Sequence, residues 1–248
     1  MQDLKISLIT VTFNAEKTFL NCIESVIAQD YSNIEYIVID GGSTDKTINI
    51  AENYKHFIKY LVSEPDHGIY DAMNKGICLA TGEVIGLLNA DDMFAKKNIL
   101  SQVAHSFRQT ETNVVYGDLD YIDEKGTVVR KWRSGSYKRA RFNFGWMPPH
   151  PTFYCKRILF DQLGCYTLAY GTAADYELML RFLFVHQIKP YYLEQVMVLM
   201  RTGGASNRHL KNRIKGLLND LKAMRKHRIW LPILTVILKP LRKITQYF

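Results

Sequence analysis

Cysteine is scarce: Cys22, Cys78, Cys155 and Cys165 are the only four in 248 residues, with no C-x-x-C pair and no zinc-like spacing. That scatter argues against a disulfide scaffold and a structural zinc centre, and the thiols are expected to be reduced. Long apolar runs are also lacking. The longest, residues 229–238, contains Pro232 and reaches about half the ~20 residues of a spanning helix, so no transmembrane segment is expected. The N-terminus enters a strand-like run without a signal peptide, which points to a cytoplasmic protein. A G-x-G-x-x-G fingerprint, a P-loop lysine and internal repeats are absent as well. Acidic residues are sparse in one region only. From Arg201 onward twelve Lys and Arg face Asp220 alone, a net of +11, whereas residues 1–200 hold 20 basic and 23 acidic groups, a net of −3. The overall +8 belongs to the tail.

The composition that remains, 47% hydrophobic and 23% charged, is that of a globular chain able to bury a full core. Residues 6–13 and 34–39 are β-branched and apolar at most positions, as in strands covered on both faces. A third short strand is expected at 58–62 and a fourth at 84–88. Helical patterns alternate with them, the first capped by Asn14, the second by Ser43 or Thr44, and the third following Gly68. This alternation implies an α/β fold with a mostly parallel sheet flanked by helices, whose ligands gather at the carboxyl ends of the strands. Thr12, Asp40 and Asn89–Asp92 stand at those ends. Beyond residue 110 a hairpin is expected over 119–132, turning at 123–126. Helices are expected near 156–163 and 174–186, and a strand over 191–199.

Several side chains could carry chemistry. Asp91 and Asp92 form either a site for a hard divalent cation or a solvated turn. Gly41-Gly42-Ser43-Thr44-Asp45 reads as a phosphate loop or as a tight strand-to-helix turn. Asp40 before it could accept hydrogen bonds from a base or a ribose. Asp175 opens an apolar helical pattern, where the helix N-terminus favours its charge, as a cap or as something more. His150, among Pro148, Pro149 and Pro151, is a candidate third metal ligand or a packed loop histidine.

Four ordered motifs carry a resemblance: Ile9-Thr-Val-Thr-Phe-Asn14, Val38-Ile-Asp-Gly-Gly-Ser-Thr-Asp-Lys-Thr47, Glu64-Pro-Asp-His-Gly-Ile-Tyr-Asp-Ala-Met-Asn-Lys-Gly76 and Thr81-Gly-Glu-Val-Ile-Gly-Leu-Leu-Asn-Ala-Asp-Asp92. Together they resemble the family 2 glycosyltransferases of the GT-A (Rossmann-like) fold, most of all bacterial transferases that build surface polysaccharides. The resemblance implies donor contacts from Thr10, Thr12, Asp40, Asn74, Lys75, Asn89, Asp91, Arg201 and Ser206. It implies Mn²⁺ or Mg²⁺ at Asp91 and Asp92, with Asn89 standing where the D-x-D motif has its first Asp. Asp175 falls at the catalytic base, with Ala174 in place of the usual preceding Glu. Arg201 to Ser206 resembles the segment that closes over the diphosphate, and the missing Q-x-x-R-W motif speaks against a processive polymerase.

The implied reaction is inverting transfer of a sugar from a nucleotide-diphosphate sugar to a hydroxyl of a glycan or a polyprenyl-diphosphate-linked acceptor. Two other readings are a sugar-nucleotide nucleotidyltransferase and a non-catalytic membrane-bound scaffold subunit. The first expects a basic glycine-rich loop after strand one, and the second expects lost carboxylates. Residues 1–200 are expected to form the catalytic domain, with 1–110 binding the donor and 111–200 the acceptor. Residues 201–248 form a basic amphipathic helical tail. Apolar residues at 210, 214, 217, 218, 221 and 224 share one helix face, and Trp230 begins the apolar run that follows. The tail either lies on an anionic membrane, making the protein peripheral at the inner face of the cell membrane, or docks on the body. No nucleic acid is expected as a partner.

Overall fold

The computed structural model describes residues 3–203 and 210–247. Strand β1 (Ile6–Thr12) is buried at every position and pairs in parallel with β2 (Ile34–Asp40), Thr12 standing beside Asp40. Strand β3 (Tyr60–Ser63) extends the sheet beyond β2, and β4 (Val84–Leu87) lies on the other side of β1, both parallel. Helices α1 (Phe19–Ile27), α2 (Thr47–Asn53) and α3 (Ile69–Leu79) make the crossovers. This half is the parallel α/β unit that the alternation implies.

The second half departs from a parallel sheet. It contains β5 (Asp92–Phe94), α4 (Ile99–Thr110), β6 (Val114–Ile122), β7 (Val128–Trp132), β8 (Tyr154–Lys156), α5 (Ile158–Leu163), α6 (Ala174–Met179) and β9 (Tyr191–Arg201). The strands run in the order β3-β2-β1-β4-β8-β6-β9-β5, with β7 paired to β6 in the expected hairpin. Strand β8 joins β4 and β6 antiparallel, β9 lies parallel to β6, and β5 is antiparallel to β9. The sheet is therefore mixed. Two apolar layers cover it. One includes Ile9, Met73, Ile77, Tyr176 and Phe182, and the other includes Leu8, Phe19, Ile23, Leu100 and Val103. Fully burying one such side chain contributes about 1.5–3 kcal/mol, so these layers fix the sheet edge in place.

Two helix starts differ from expectation. Helix α1 begins at Phe19, beyond Asn14, whose φ of 48° is left-handed and whose Oδ1 instead accepts the Thr44 N–H at 2.9 Å. Helix α2 begins after Lys46, because Ser43 is engaged by Asp40 and by the Asn14 N–H. The two turns after β1 and β2 thus bond to each other.

The tail forms α7 (Leu210–Lys226) and α8 (Pro232–Leu241), which pack against each other and against the body. Ala223, Met224, Ile229 and Thr235 are buried. Nε2 of His227 lies 2.8 Å from Oε1 of Glu177, which also pairs with Arg181. Trp230 is 77% exposed, however, and Ile233, Leu234, Ile237 and Leu241 are exposed with it. One side of α8 docks and the other is an apolar surface. Among the described residues no helix is long and apolar enough to cross a membrane.

Candidate active site

The carboxyl ends of β1, β2 and β3 form a polar shelf. Thr12 is buried, and its Oγ1 has no hydrogen-bond partner among the described residues. Thr10, one pleat lower, does not reach the shelf. It is fully buried, and its hydroxyl accepts the Tyr36 phenol at 3.1 Å beside Cys22. Asp40 reaches the strand end but is already engaged. Its Oδ2 accepts the N–H groups of Gly42 at 3.0 Å and Ser43 at 2.8 Å and the Ser63 hydroxyl at 2.7 Å, and Oδ1 accepts the Ser43 hydroxyl. Asp40 therefore organises the turn, with both of its carboxylate oxygens engaged. The carboxylate with an oxygen to spare is Asp66, after β3. Its Oδ1 accepts Gly68 N–H at 2.7 Å, and its Oδ2 reaches over Gly41. Asp66 lies inside the third motif, but its role depends on the glycine at 41, which no local pattern discloses.

A second cluster lies where β4 turns into β5. Asp92 is buried and accepts the Asn89 side-chain N–H at 3.2 Å; among the described residues neither its Oδ1 nor Asn89 Oδ1 has a partner. Burial, and then the charge of Asp91, push the Asp92 carboxyl well up. Burial also raises half-buried Asp91, against its own backbone N–H and the positive charge of Arg201 at the end of β9. Arg201 Nε is itself buried, with no partner among the described residues. Four unsatisfied or charge-burdened groups in one place are costly unless a ligand answers them. The donors are all hard oxygens, one neutral and two acidic, and fit Mg²⁺ or Mn²⁺ completed by water and phosphate oxygens. Ser206 lies outside the described residues.

Among the described residues no three His, Cys, Asp or Glu side chains gather as a metal site. His150 therefore does not complete a centre with Asp91 and Asp92. Its Nε2 is 2.7 Å from the Tyr166 hydroxyl, and burial lowers its pKa despite the nearby Asp175, so the ring is neutral. His150, Tyr70 and Asp175 line one cavity of about 950 Å³. Asp175 sits in the first turn of α6, where the helix dipole favours its carboxylate, and its Oδ1 accepts the Tyr176 N–H at 2.7 Å. Burial, then the Asp175 charge, hold the Tyr70 phenol well above its ordinary pKa, as a donor. Tyr70 on α3 and Tyr166 on the loop after α5 were not expected at the site.

Two expected donor contacts have other tasks. Asn74 donates to the Tyr166 carbonyl and accepts the Tyr166 N–H, both at 2.9 Å, which clamps α3 to the loop bearing Tyr166. Lys75 pairs with Glu64 at 2.8 Å and donates to the Pro65 carbonyl. The cavity at Asp175 extends to Tyr121 and Met200. Met200 is the β9 partner of Asp92, and Tyr121 lies close enough for the Asp92 charge to raise its phenol further, after burial.

Known proteins match this arrangement. Residues 7–169 fit the family described as Glycosyl transferase family 2. A PGL/p-HBAD biosynthesis glycosyltransferase of Mycobacterium tuberculosis is 31% identical over 206 residues, 81% of this chain and 78% of the relative. The S. aureus TarS structure superposes with a TM-score of 0.70 at 18% identity over 91% of this chain, which spans 39% of the TarS chain. TarS 1-349 has been solved in complex with UDP. The mannosyltransferase PcManGT of Pyrobaculum calidifontis, in complex with GDP-Man and Mn²⁺, gives a TM-score of 0.68 at 16% identity over 96% of this chain and 70% of its own. At such identities the structures show the fold alone, which is GT-A. The family match, held over well more than half the chain, and the relative settle the rest: the chain belongs to glycosyltransferase family 2.

Proposed function

We propose that this glycosyltransferase moves a sugar from a nucleotide-diphosphate donor to a hydroxyl of a glycan or lipid-linked acceptor, with inversion, at the cytoplasmic face of a membrane. One observation carries the reading: the cavity lined by Asp175 reaches Tyr121 and Met200, which flank Asp92. A base and a diphosphate-binding edge thereby serve one space. The relatives' ligands, UDP and GDP-Man with Mn²⁺, support a nucleotide-sugar donor of this kind.

Each group then has a task. Asp66 and Thr12 offer acceptor oxygens to the base and ribose at the shelf. Asn89, Asp91 and Asp92 would hold a divalent cation, which when bound supplies charge neutralisation to the departing diphosphate. Arg201 adds positive charge at the same edge. Asp175 accepts the proton of the acceptor hydroxyl as its oxygen bonds to the anomeric carbon. The bond from that carbon to the donor phosphate oxygen breaks, and its electron pair leaves with the nucleoside diphosphate. A single displacement from the opposite face inverts the anomeric centre. Neutral His150 and the Tyr70 phenol orient Asp175 and the acceptor without competing for that proton.

The test is Asp175→Asn. Transfer should fall by about 10² to 10⁴, the contribution of a positioned general base. Nucleoside diphosphate affinity, measured by calorimetry with Mn²⁺, should stay within a factor of about two, because the base is not part of the diphosphate edge. Unchanged turnover would place the base elsewhere, and lost nucleotide binding would make Asp175 a structural residue.

A further inference from the structure

Helices α7 and α8 are fixed to the body by polar contacts and leave apolar side chains outward. On α8, Thr235 is buried and its Oγ1 donates to the Asn143 carbonyl at 2.6 Å. Lys239 forms part of the cavity wall beside Asp175; its Nζ donates to Asp220 of α7 at 2.6 Å and stands 3.7 Å from the centre of the Tyr176 ring. The other side of α8 carries Ile233, Leu234, Ile237 and Leu241, three and four residues apart and all about half exposed. On α7, Ile214, Leu217 and Leu218 are exposed as well. Apolar side chains exposed as a connected row, in place of singly, mark a surface that meets a partner.

The charge around the row says what that partner is. Lys215, Arg225 and Lys226 on α7 and Arg228 in the turn before α8 are exposed and make no ion pair among the described residues. Asp220, the sole acid from residue 201 onward, is answered by Lys239. A second copy would bring the same cations to the same face, and like charges set against each other are costly. An anionic bilayer meets both features, its headgroups the cations and its acyl boundary the apolar row. Lysine and arginine stems can lie along the apolar surface while their heads stay at headgroup level. At ten residues α8 is too short to span, so it lies in the interface.

The cavity opens among these same residues. Ile214, Leu217, Ile244 and Tyr247 line it and are themselves 39–62% exposed, so apolar groups of the tail rim its mouth. We propose that the outer side of α7 and α8 seats the protein on an anionic bilayer, with the mouth of the Asp175 cavity at the bilayer surface. An acceptor held in the membrane then reaches Asp175 without passing through bulk water. This deepens the function proposed above and rests on it only for the cavity's being the acceptor's.

The experiment reads membrane binding and depth without turnover, so its failure and the failure of Asp175 as the base are separate results. Full-length protein is sedimented with vesicles of phosphatidylglycerol and phosphatidylcholine, and with phosphatidylcholine alone. Partition should be about tenfold or more stronger on the anionic vesicles, and the triple variant Lys215→Gln/Arg225→Gln/Lys226→Gln should lose about tenfold. All three side chains are exposed, so the variant retains the fold, which circular dichroism checks. Depth is read by quenching with brominated phospholipid in a Trp230→Phe background. Ile214→Trp, at the cavity mouth, should be quenched on anionic vesicles, and Phe57→Trp, exposed beside the edge strand β3, should not. If Ile214→Trp is unquenched, or Phe57→Trp is quenched as strongly, the cavity does not open at the bilayer. Equal partition of the wild type and the triple variant would overturn the electrostatic seat. A wild type that sediments with neither vesicle would overturn the proposal outright; a dimer that Leu234→Glu dissociates, seen by analytical ultracentrifugation, would then give the face to a second copy.

Discussion

Asp66 occupies the space that a side chain at Gly41 would need: its Oδ2 lies 2.5 Å from where a β-carbon on residue 41 would stand. The carboxylate with an oxygen free at this strand end comes from the loop after β3, while Asp40 is tied into its own turn. Two substitutions separate these roles. Asp66→Ala should weaken nucleoside diphosphate binding by about 1–2 kcal/mol, roughly five- to thirtyfold, with little change in thermal stability. Asp40→Ala should do the reverse, leaving the part-buried N–H groups of Gly42 and Ser43 without their acceptor at a cost of about 1 kcal/mol each. Calorimetric Kd and Tm on both variants check the assignment, and a larger loss of affinity in Asp40→Ala would return base recognition to Asp40.

The Asn89–Asp92 cluster predicts a stability response to metal. Asn89 Oδ1 and Asp92 Oδ1, without partners among the described residues, and two carboxyls raised by burial cost stability that a bound cation would relieve. Mn²⁺ should stabilise the fold by mass action, by about 2.7 kcal/mol at a hundred times its Kd, and Tm should rise with it. Asp91→Asn should abolish most of that response, and Asn89→Asp should enlarge it while lowering Tm without metal. Differential scanning fluorimetry with EDTA and a Mn²⁺ series measures all three.

Acid sensitivity should centre on Glu35, far from the catalytic groups. Burial opposes its ionisation most, but Lys5 at 2.8 Å, Ser7 at 2.6 Å and the Thr81 N–H at 2.7 Å overcome that and bring it from 4.5 to about 2. A carboxyl lowered in the folded state contributes stability that is present above about pH 4.5 and lost as pH falls toward 2. The Tm of the wild type should therefore fall through that window, and Glu35→Gln, less stable at pH 7, should show a shallower fall. Parallel slopes would mean that other carboxylates govern acid unfolding.

The sequence disclosed whatever depends on near neighbours. Strands β1, β2 and β4 were visible as runs β-branched or apolar at most positions, and the hairpin of β6 and β7 as a turn between strand-like segments. Asp175 was visible at a helix start. What stayed hidden depends on partners distant in the chain. Strand β8 enters the sheet antiparallel by pairing Val84 with Lys156, a register no local pattern encodes. Asn74 was legible as a polar position on α3, but its partner Tyr166 is 92 residues away. For the tail, both docking and an exposed apolar face were legible as alternatives. The structure combines them, because Asn143 selects which side of α8 turns inward.

Gly145 decides whether that docking persists. A β-carbon there would stand 2.6 Å from Cα of Lys239, and its φ of 76° is left-handed. Neither constraint admits a side chain, since the neighbour is backbone and cannot swing aside. Gly145→Val should lift α8 from the body, breaking the bond from Thr235 to the Asn143 carbonyl and the wall that Lys239 builds. Limited proteolysis should then cut near residue 230 faster than in the wild type. The exposed face makes a different prediction. Ile237→Glu leaves the docked side intact, so protease resistance should persist while binding to anionic vesicles falls about tenfold or more, from lost apolar burial and added negative charge. Vesicle sedimentation and proteolysis on the same two variants separate docking from membrane contact. If Ile237→Glu sediments as the wild type does, the apolar row does not meet the bilayer.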